Sequence, residues 1–227
     1  MTLQFERISK NGTDHISLEI STLIIAGWAG RDAAAIEHHI EELAALGIPR
    51  PSTTPLYYRV SAQTLTQTER LSVLGPDSSG EVEPVAVAMA DGLWIGIGSD
   101  HTDRKAEASG IALSKQLCGK PIGRQLWSCA EIEDHWDALV LRSWATIDGK
   151  RVLYQESKVS TLKTPRELVQ RYSDTGTLQP GTLMFCGTPS AIGGIRPGSR
   201  FEIELADPVL DRYLRHGYDI DVLPVIS

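Results

Sequence analysis

Within the stretch SGEVEPVAVAMADGLWIGIGSDHTDR, residues 79–104, two alternating apolar runs flank the dipeptide Asp91-Gly92. Asp-Gly between such runs is a strong short-range signal for a two-residue β-hairpin loop. A loop of those two residues pairs Ala90 with Leu93 and sets Glu83 opposite Asp100. Glu81 shares the face of Glu83, because side chains alternate along a strand. Three carboxylates are thus expected on one face, with directly opposed Cβ atoms ~5 Å apart. At that separation and an effective dielectric of ~20, one like-charge pair costs roughly 3 kcal/mol. A divalent cation is the simplest group to offset it, and an all-carboxylate set favours Mg²⁺ or Mn²⁺ over Zn²⁺. The alternative is a solvated hairpin end with scattered acids. Val85, Val87, Met89, Trp94, Gly96 and Gly98 complete the acid-bearing face, and its two glycines read as room for a ligand. The opposite face, with Val82, Ala86, Ala88, Leu93, Ile95 and Ile97, reads as core.

The length of 227 residues suits one domain, 1–227, with an N-terminal hairpin region over about 1–26. A net charge of −7 argues against nucleic acid as a partner. Cys118, Cys129 and Cys186 are odd in number and widely spaced, which suits a reducing cytoplasm and fits neither a disulfide framework nor a zinc site. The N-terminus shows no apolar signal core, and no apolar run approaches the ~18 residues of a membrane span.

Asn11-Gly12 and Asp148-Gly149 predict two further hairpins, and Thr22 to Ala26, Leu56 to Val60, Arg70 to Leu74, Gly181 to Cys186 and Phe201 to Leu205 predict strands. Asp32 is expected to cap a helix from Ala33 to about Leu46, ended by Gly47. Further helices are expected over Arg104 to Leu117, after a Ser128/Glu131 capping box, and after Thr164-Pro165 with Glu167. The tail from Pro208 to Gly217 carries a weak helical pattern. Strands dominate, so the expected class is α+β, mainly β, with short peripheral helices. His135 and Trp136 read as core or surface residues and Cys186 as core filler, while His101 is open between a supporting role beside Asp100 and a structural one.

These features, in this order, resemble the fumarylacetoacetate hydrolase superfamily. GEVEPVAVAM resembles its acidic pair, with Glu81 and Glu83 as metal ligands, and SDHTDR its third ligand, Asp100, followed by Arg104. SKQLCGKPIG carries the family lysine as Lys115, and IDGKRVLYQES its glutamine as Gln155. GTLMFCGTPSAIGG carries the Gly-Thr-Pro signature at Gly187, Thr188 and Pro189. HHIEEL resembles the His-x-x-Glu of a lid helix, with His39 and Glu42, and IPRPSTTPLYYRV places Tyr58 and Arg59 toward substrate. Pro84 after Glu83, Arg59 in place of a lysine, the added His101 and Asp103, and the C-terminal extension set the chain in a divergent branch.

The resemblance implies a mixed β-roll, a homodimer, and Mg²⁺ or Mn²⁺ held by Glu81, Glu83 and Asp100. It implies an anionic small-molecule substrate, a 2-oxo acid or 1,3-diketone, met by Tyr58, Arg59, Arg104, Gln155, Gly187 and Thr188. His39, held by Glu42, would activate water, and Lys115 would stabilise enolate charge. The leading expectation is a hydrolase of a carbon–carbon bond in an acylpyruvate-like compound. A lyase of a 2-oxo acid (decarboxylase, hydratase or dehydratase) is the alternative, and a metal-dependent binding protein without chemistry the third.

Overall fold

Hairpins build most of the chain. The computed structural model describes residues 1–45 and 50–226, with backbone alone at 39, 42 and 43. The main strands are β1 (Thr2–Ser9), β2 (Gly12–Glu19), β3 (Thr22–Gly27), β4 (Leu56–Val60), β5 (Arg70–Leu74), β6 (Val82–Met89) and β7 (Gly92–Ser99), then β8 (Gln125–Ser128), β9 (Val140–Ile147), β10 (Lys150–Lys158), β11 (Thr182–Phe185), β12 (Arg200–Asp207) and β13 (Arg212–Leu223). The principal helices are α1 (Ala33–Ala45), α2 (Ile111–Gln116) and α3 (Pro165–Tyr172).

Eight strands form one mixed sheet in the order β2-β1-β8-β7-β6-β11-β3-β4, and five form a second in the order β10-β9-β12-β13-β5. One core fills the space between the sheets, from Val82, Ala86, Ile95 and Ile97 of the central hairpin to Leu141, Ile203, Leu205 and Leu214. A second core lies on the other face of the large sheet and gathers Leu3 and Phe5 near one edge, Val60 at the other, and Val85, Val87 and Phe185 from the middle. That sheet therefore curls around its own side chains, and reciprocal bonds between Gln4 of β1 and Gln67, in the segment that follows β4, link the two sides of the chain there. Hairpin β6–β7 is buried on both faces, which explains why its alternation is apolar throughout.

The central register differs from the expected one. Met89 pairs with Gly92 and Glu83 with Gly98, so Ala90-Asp91 is the loop. Gly92 takes the left-handed conformation, φ 131°, and Gly12 does the same at 126° after Lys10-Asn11. Only at Asp148-Gly149 do both loop residues adopt positive φ, 51° and 73°, as a two-residue Asp-Gly loop requires. Asp91 instead accepts hydrogen bonds from Trp94 at 3.1 Å and Arg7 at 2.6 Å. The shift is two places, so every side chain keeps its face.

Three further expectations are corrected. The tail is a strand, because Leu214, Tyr218, Ile220 and Val222 recur at even spacing, the period of a strand paired on both sides. The stretch 104–117 splits at Gly110, φ 150°, into a short 3₁₀ turn and α2. Ser128 makes no side-chain cap, and Glu131 instead accepts a hydrogen bond from the Lys10 backbone at 2.7 Å. Asp32 does cap α1 through the N–H groups of Ala34 and Ala35, and Thr164 with Glu167 forms the expected capping box. Gly47, the expected end of α1, lies outside the described residues.

Candidate metal centre

Glu81 and Asp100 stand opposite each other just beyond the last rung of β6–β7, joined by the Asp100 N–H to Glu81 carbonyl bond at 3.0 Å. Glu83 is one rung inside, facing Gly98. Ligating oxygens of Glu81, Glu83 and Asp100 all lie within 4.8 Å of one another. Glu83 and Asp100 are buried and Glu81 is partly open to solvent. The convergence expected from alternation therefore holds, although the opposed pair is Glu81–Asp100. Room beside the acids does not come from the strand glycines. A Cβ on Gly98 would meet Phe185 Cε1 at 2.7 Å, and one on Gly96 would meet Leu126 Cδ2 at 2.7 Å, so both glycines admit core side chains.

Cations surround the acids. Lys115, at the end of α2, contacts Asp100 Oδ2 and lies 3.6 Å from Glu81 Oε2. Arg104 lies 3.0 Å from Glu81 Oε1 and 3.1 Å from Glu107. Lys120, fully buried, lies 3.0 Å from Asp100 Oδ1 and also donates to the His101 carbonyl. Burial works against charge on Asp100, yet Lys115 and Lys120 outweigh it and hold its pKa down at about 2. Burial likewise opposes the Lys115 ammonium, but Asp100 and Glu81 hold its pKa above the usual lysine value. Glu83 goes the other way. Its burial, then the charges of Asp100 and Glu81, push its pKa well above its ordinary value.

The donor set suits a small hard cation. It is all oxygen, and neighbouring oxygens ~2.1 Å from one octahedral ion lie ~3.0 Å apart, so the acids, now within 4.8 Å of one another, would draw in around the ion. Asp100 Oδ1 is buried and accepts no hydrogen bond despite its ion-pair contact. Lys115's ammonium occupies the space between Glu81 and Asp100 as a cation would. Counting Glu107, the acids outnumber the fixed cations Lys115, Lys120 and Arg104 by one, so a divalent ion would leave a net positive charge, ready for an anionic substrate.

The remaining site residues divide. Tyr58 faces the acids, with its ring centroid 6.0 Å from Lys115 Nζ. Gly27 makes way for that ring, since a Cβ there would lie 2.8 Å from Tyr58 Cε2. Arg59, the next residue along β4, takes the opposite face and bonds to Tyr172 at 3.2 Å, away from the position expected for it. Gly187, Thr188 and Gln155 brace the acid-bearing strand. The Gly187 N–H donates to Glu83 Oε2 at 2.7 Å, and Thr188 Oγ1 donates to the Val82 carbonyl at 2.9 Å. Gln155 accepts from Val82 N–H and Ser143 and donates to Thr188 and the Pro189 carbonyl, at 2.6–3.0 Å. Its amide group is thus spent within the chain. Gly187 has φ 96°, and a Cβ there would meet Ala29 Cβ at 2.7 Å, so glycine is needed where the turn passes the acid-bearing strand.

His101 is buried behind the acids. Nδ1 is 3.1 Å from Tyr218 Oη and Nε2 2.9 Å from Ser78 Oγ. Tyr218 donates to Ser99 at 2.8 Å, and Ser99 Oγ accepts the Glu81 N–H at 3.1 Å. Burial, then Lys120 and Arg104, hold the imidazole near a pKa of about 3, hence neutral. The ring also packs edge-on against Phe201 and Tyr218, so the geometry is compatible with both the supporting and the structural expectation. Trp136 and Cys186 are core, as expected, and His135 pairs with Asp207 at 3.1 Å. The side chains of His39 and Glu42 lie outside the described residues. Lys120 and Glu107 are the residues sequence reasoning missed, and the one available signal was a lysine embedded between apolar residues directly before Pro121.

A family model described as a protein of unknown function, DUF2848, matches residues 26–218. The chain belongs to the DUF2848 family. Within this family the chain has the fold of the fumarylacetoacetate hydrolase superfamily, the mixed β-roll expected. A crystal structure of Cg1458 superposes with a TM-score of 0.64 at 16% identity, covering 99% of this chain and 100% of that one. A 2-keto-3-deoxy-D-arabinonate dehydratase complexed with magnesium and 2,5-dioxopentanoate superposes with a TM-score of 0.67 at 14% identity, covering 95% of this chain and 78% of that one. No curated protein matches the sequence. Among the described residues no helix is long and apolar enough to cross a membrane.

Proposed function

We propose that this protein is a Mg²⁺-dependent enzyme of 2-oxo acids, and that its reaction is that of a lyase, an elimination or addition next to the carbonyl. The observation that carries the reading is the convergence of Glu81, Glu83 and Asp100 to within 4.8 Å around the Lys115 ammonium. Glu81, Glu83 and Asp100 would hold the ion, which when bound supplies a Lewis acid for the oxygens of a 2-oxo acid. Loss of a proton from C3 of such an acid, or of carbon dioxide from a carboxylate borne by C3, leaves an enolate. Lys115, kept charged by its acids, is placed to stabilise that negative charge. Tyr58 faces Lys115, and Arg104 adds positive charge beside Glu81. Gly187, Thr188 and Gln155 act through Glu83 and its strand, Gly187 holding one carboxylate oxygen so that the other is free for the ion. The magnesium-bound dehydratase with the same fold supports this choice of chemistry.

Hydrolysis of a carbon–carbon bond is the second reading. It rests on the resemblance of HHIEEL to the His-x-x-Glu of a lid helix, with His39 and Glu42 three residues apart in the sequence. It requires an attacking water, and His101, the histidine beside the acids among the described residues, has both ring nitrogens engaged. Mn²⁺ as the alternative metal, a homodimer and a cytoplasmic location belong to the same proposal, from the resemblance and the free cysteines.

The test is a panel of 2-oxo and diketo acids assayed with Mg²⁺ and with chelator, with products identified. Mg²⁺-dependent loss of water or carbon dioxide is the expected result, and Lys115→Met should lower kcat by roughly 10²–10⁴-fold without weakening Mg²⁺ binding. Cleavage into two carbon fragments, abolished by His39→Ala, would establish the hydrolase instead. Absence of turnover across the panel with Mg²⁺ bound would leave the metal-dependent binder.

A further inference from the structure

Each of the three acids has one oxygen engaged by the protein, that of Glu83 by a hydrogen bond and that of Asp100 by an ion-pair contact without one. Glu81 Oε1 lies 3.0 Å from Arg104 Nη2, Glu83 Oε2 accepts the Gly187 N–H at 2.7 Å, and Asp100 Oδ1 lies 3.0 Å from Lys120 Nζ. The other oxygens of Glu81 and Asp100 face the single Lys115 ammonium, at 3.6 Å from Glu81 Oε2 and in direct contact with Asp100 Oδ2. The site thus presents one oxygen per acid and holds the second one back.

We propose that this arrangement selects a small octahedral cation against Ca²⁺, and that Lys120 is its specificity-determining residue. The inference rests on the metal reading above. Mg²⁺ takes six oxygens at 2.0–2.1 Å in near-ideal octahedral geometry, so single carboxylate oxygens completed by water suit it. Ca²⁺ takes six to eight at 2.3–2.6 Å and gains by gripping a carboxylate with both oxygens. Holding one oxygen of every acid removes that second grip.

Lys120 is suited to the task by immobility. It is fully buried, and its ammonium is also bonded to the His101 carbonyl. Its backbone is fixed by parallel pairing of Lys120-Pro121 with Leu65-Thr66, and the chain then passes Gly98 at the Ile122 bridge. Lys115 stands on the same carboxylate with a different prospect. It comes from the end of a short helix, faces the Tyr58 ring, and can leave Asp100 when an ion arrives. Two lysines on one aspartate therefore divide the work. Lys115 gives way to the cation, and Lys120 stays to keep Asp100 to one oxygen.

The test is a competition among metals alone, with no substrate. Mn²⁺ binding to the full-length protein is followed by electron paramagnetic resonance, and Mg²⁺ and Ca²⁺ are titrated in turn as competitors. Wild type should prefer Mg²⁺. Lys120→Met, which keeps the side-chain volume, should bind every divalent ion more tightly because a cation has gone, and should shift the Mg²⁺-to-Ca²⁺ affinity ratio toward Ca²⁺ by roughly 10-fold, the scale of a lost outer partner of a metal ligand. A change of charge alone moves both affinities together, so an unchanged ratio in folded Lys120→Met overturns the proposal. If that variant does not fold, Arg104→Gln decides, since it frees Glu81 Oε1 at a more accessible position and should move the ratio the same way. Failure of the wild type to bind Mn²⁺ would overturn the metal reading itself, a different outcome from an unmoved ratio.

Discussion

Burial opposes charge on both of the adjacent residues Asp100 and His101, with opposite outcomes. Asp100 remains ionised because Lys115 and Lys120 touch it, whereas His101 is kept neutral by burial and by Lys120 and Arg104, with only hydroxyl partners on its ring. A neutral buried histidine makes stability depend on pH in a defined direction. Its folded pKa of about 3 lies below the unfolded value of 6.5, so between them the unfolded chain binds the extra proton. The histidine's contribution is complete above pH 6.5 and is lost as pH falls toward 3, at about 1.4 kcal/mol per pH unit. His101→Gln removes that titration. The wild type's stability advantage over His101→Gln should therefore shrink by about 2 kcal/mol between pH 7 and pH 5, read from urea unfolding at both values. An advantage independent of pH would show that His101 takes up its proton in the folded protein as readily as in the unfolded chain.

At the scale of the element, hairpin β6–β7 is organised around the close approaches its glycines permit. Gly98→Ala would set a Cβ 2.7 Å from Phe185 Cε1 and 3.1 Å from the Pro121 carbonyl, which is backbone of the segment holding Lys120. Gly96→Ala would meet Leu126 Cδ2 at 2.7 Å and Val85 Cγ2 at 3.1 Å, side-chain atoms that can shift. Gly98→Ala should therefore cost roughly 1–3 kcal/mol and Gly96→Ala less, and urea midpoints for the two variants check the order. This element also shows what was legible in the sequence. Alternation placed Glu81, Glu83 and Asp100 on one face, and that survived a wrong loop because the register error was two residues, not one. The loop itself was illegible, since the ties of Asp91 to Arg7 and Trp94 join residues 84 and 3 positions apart and no local rule includes the first. The tail was misread because a short helical pattern in 208–217 competed with a strand period that becomes evident only when Tyr218, Ile220 and Val222 are counted too. Lys120 was hidden for a related reason. A lone lysine reads as surface until a buried carboxylate across the fold is known to need it.

At the scale of the molecule, the acids join the stability of the whole fold to the presence of a cation. Glu83 lies in β6, inside the large sheet and between two cores, so a charge placed there acts on global unfolding. Its folded pKa is raised above the unfolded value of 4.5 by burial and by Asp100 and Glu81. For an acid shifted upward, stability is full below the unfolded pKa and declines as pH rises toward the folded one, since the unfolded chain gives up its proton first. Metal-free wild type is therefore penalised at neutral and alkaline pH. Glu83→Gln removes the penalty, and its amide can still accept the Gly187 N–H while donating toward the neighbouring carboxylates. A bound ion reverses the balance. It holds Glu83 as the carboxylate and stabilises the folded state by RT ln(1 + [L]/Kd), about 2.7 kcal/mol at 100 times Kd, a gain the variant forfeits with its ligand. The melting temperatures should accordingly cross: with chelator at pH 8, Glu83→Gln should melt at or above the wild type, and with saturating Mg²⁺ it should melt below. Thermal unfolding of both proteins in both conditions decides the matter. A variant less stable than the wild type by the same margin with and without Mg²⁺ would mean that Glu83 serves the sheet and not a cation.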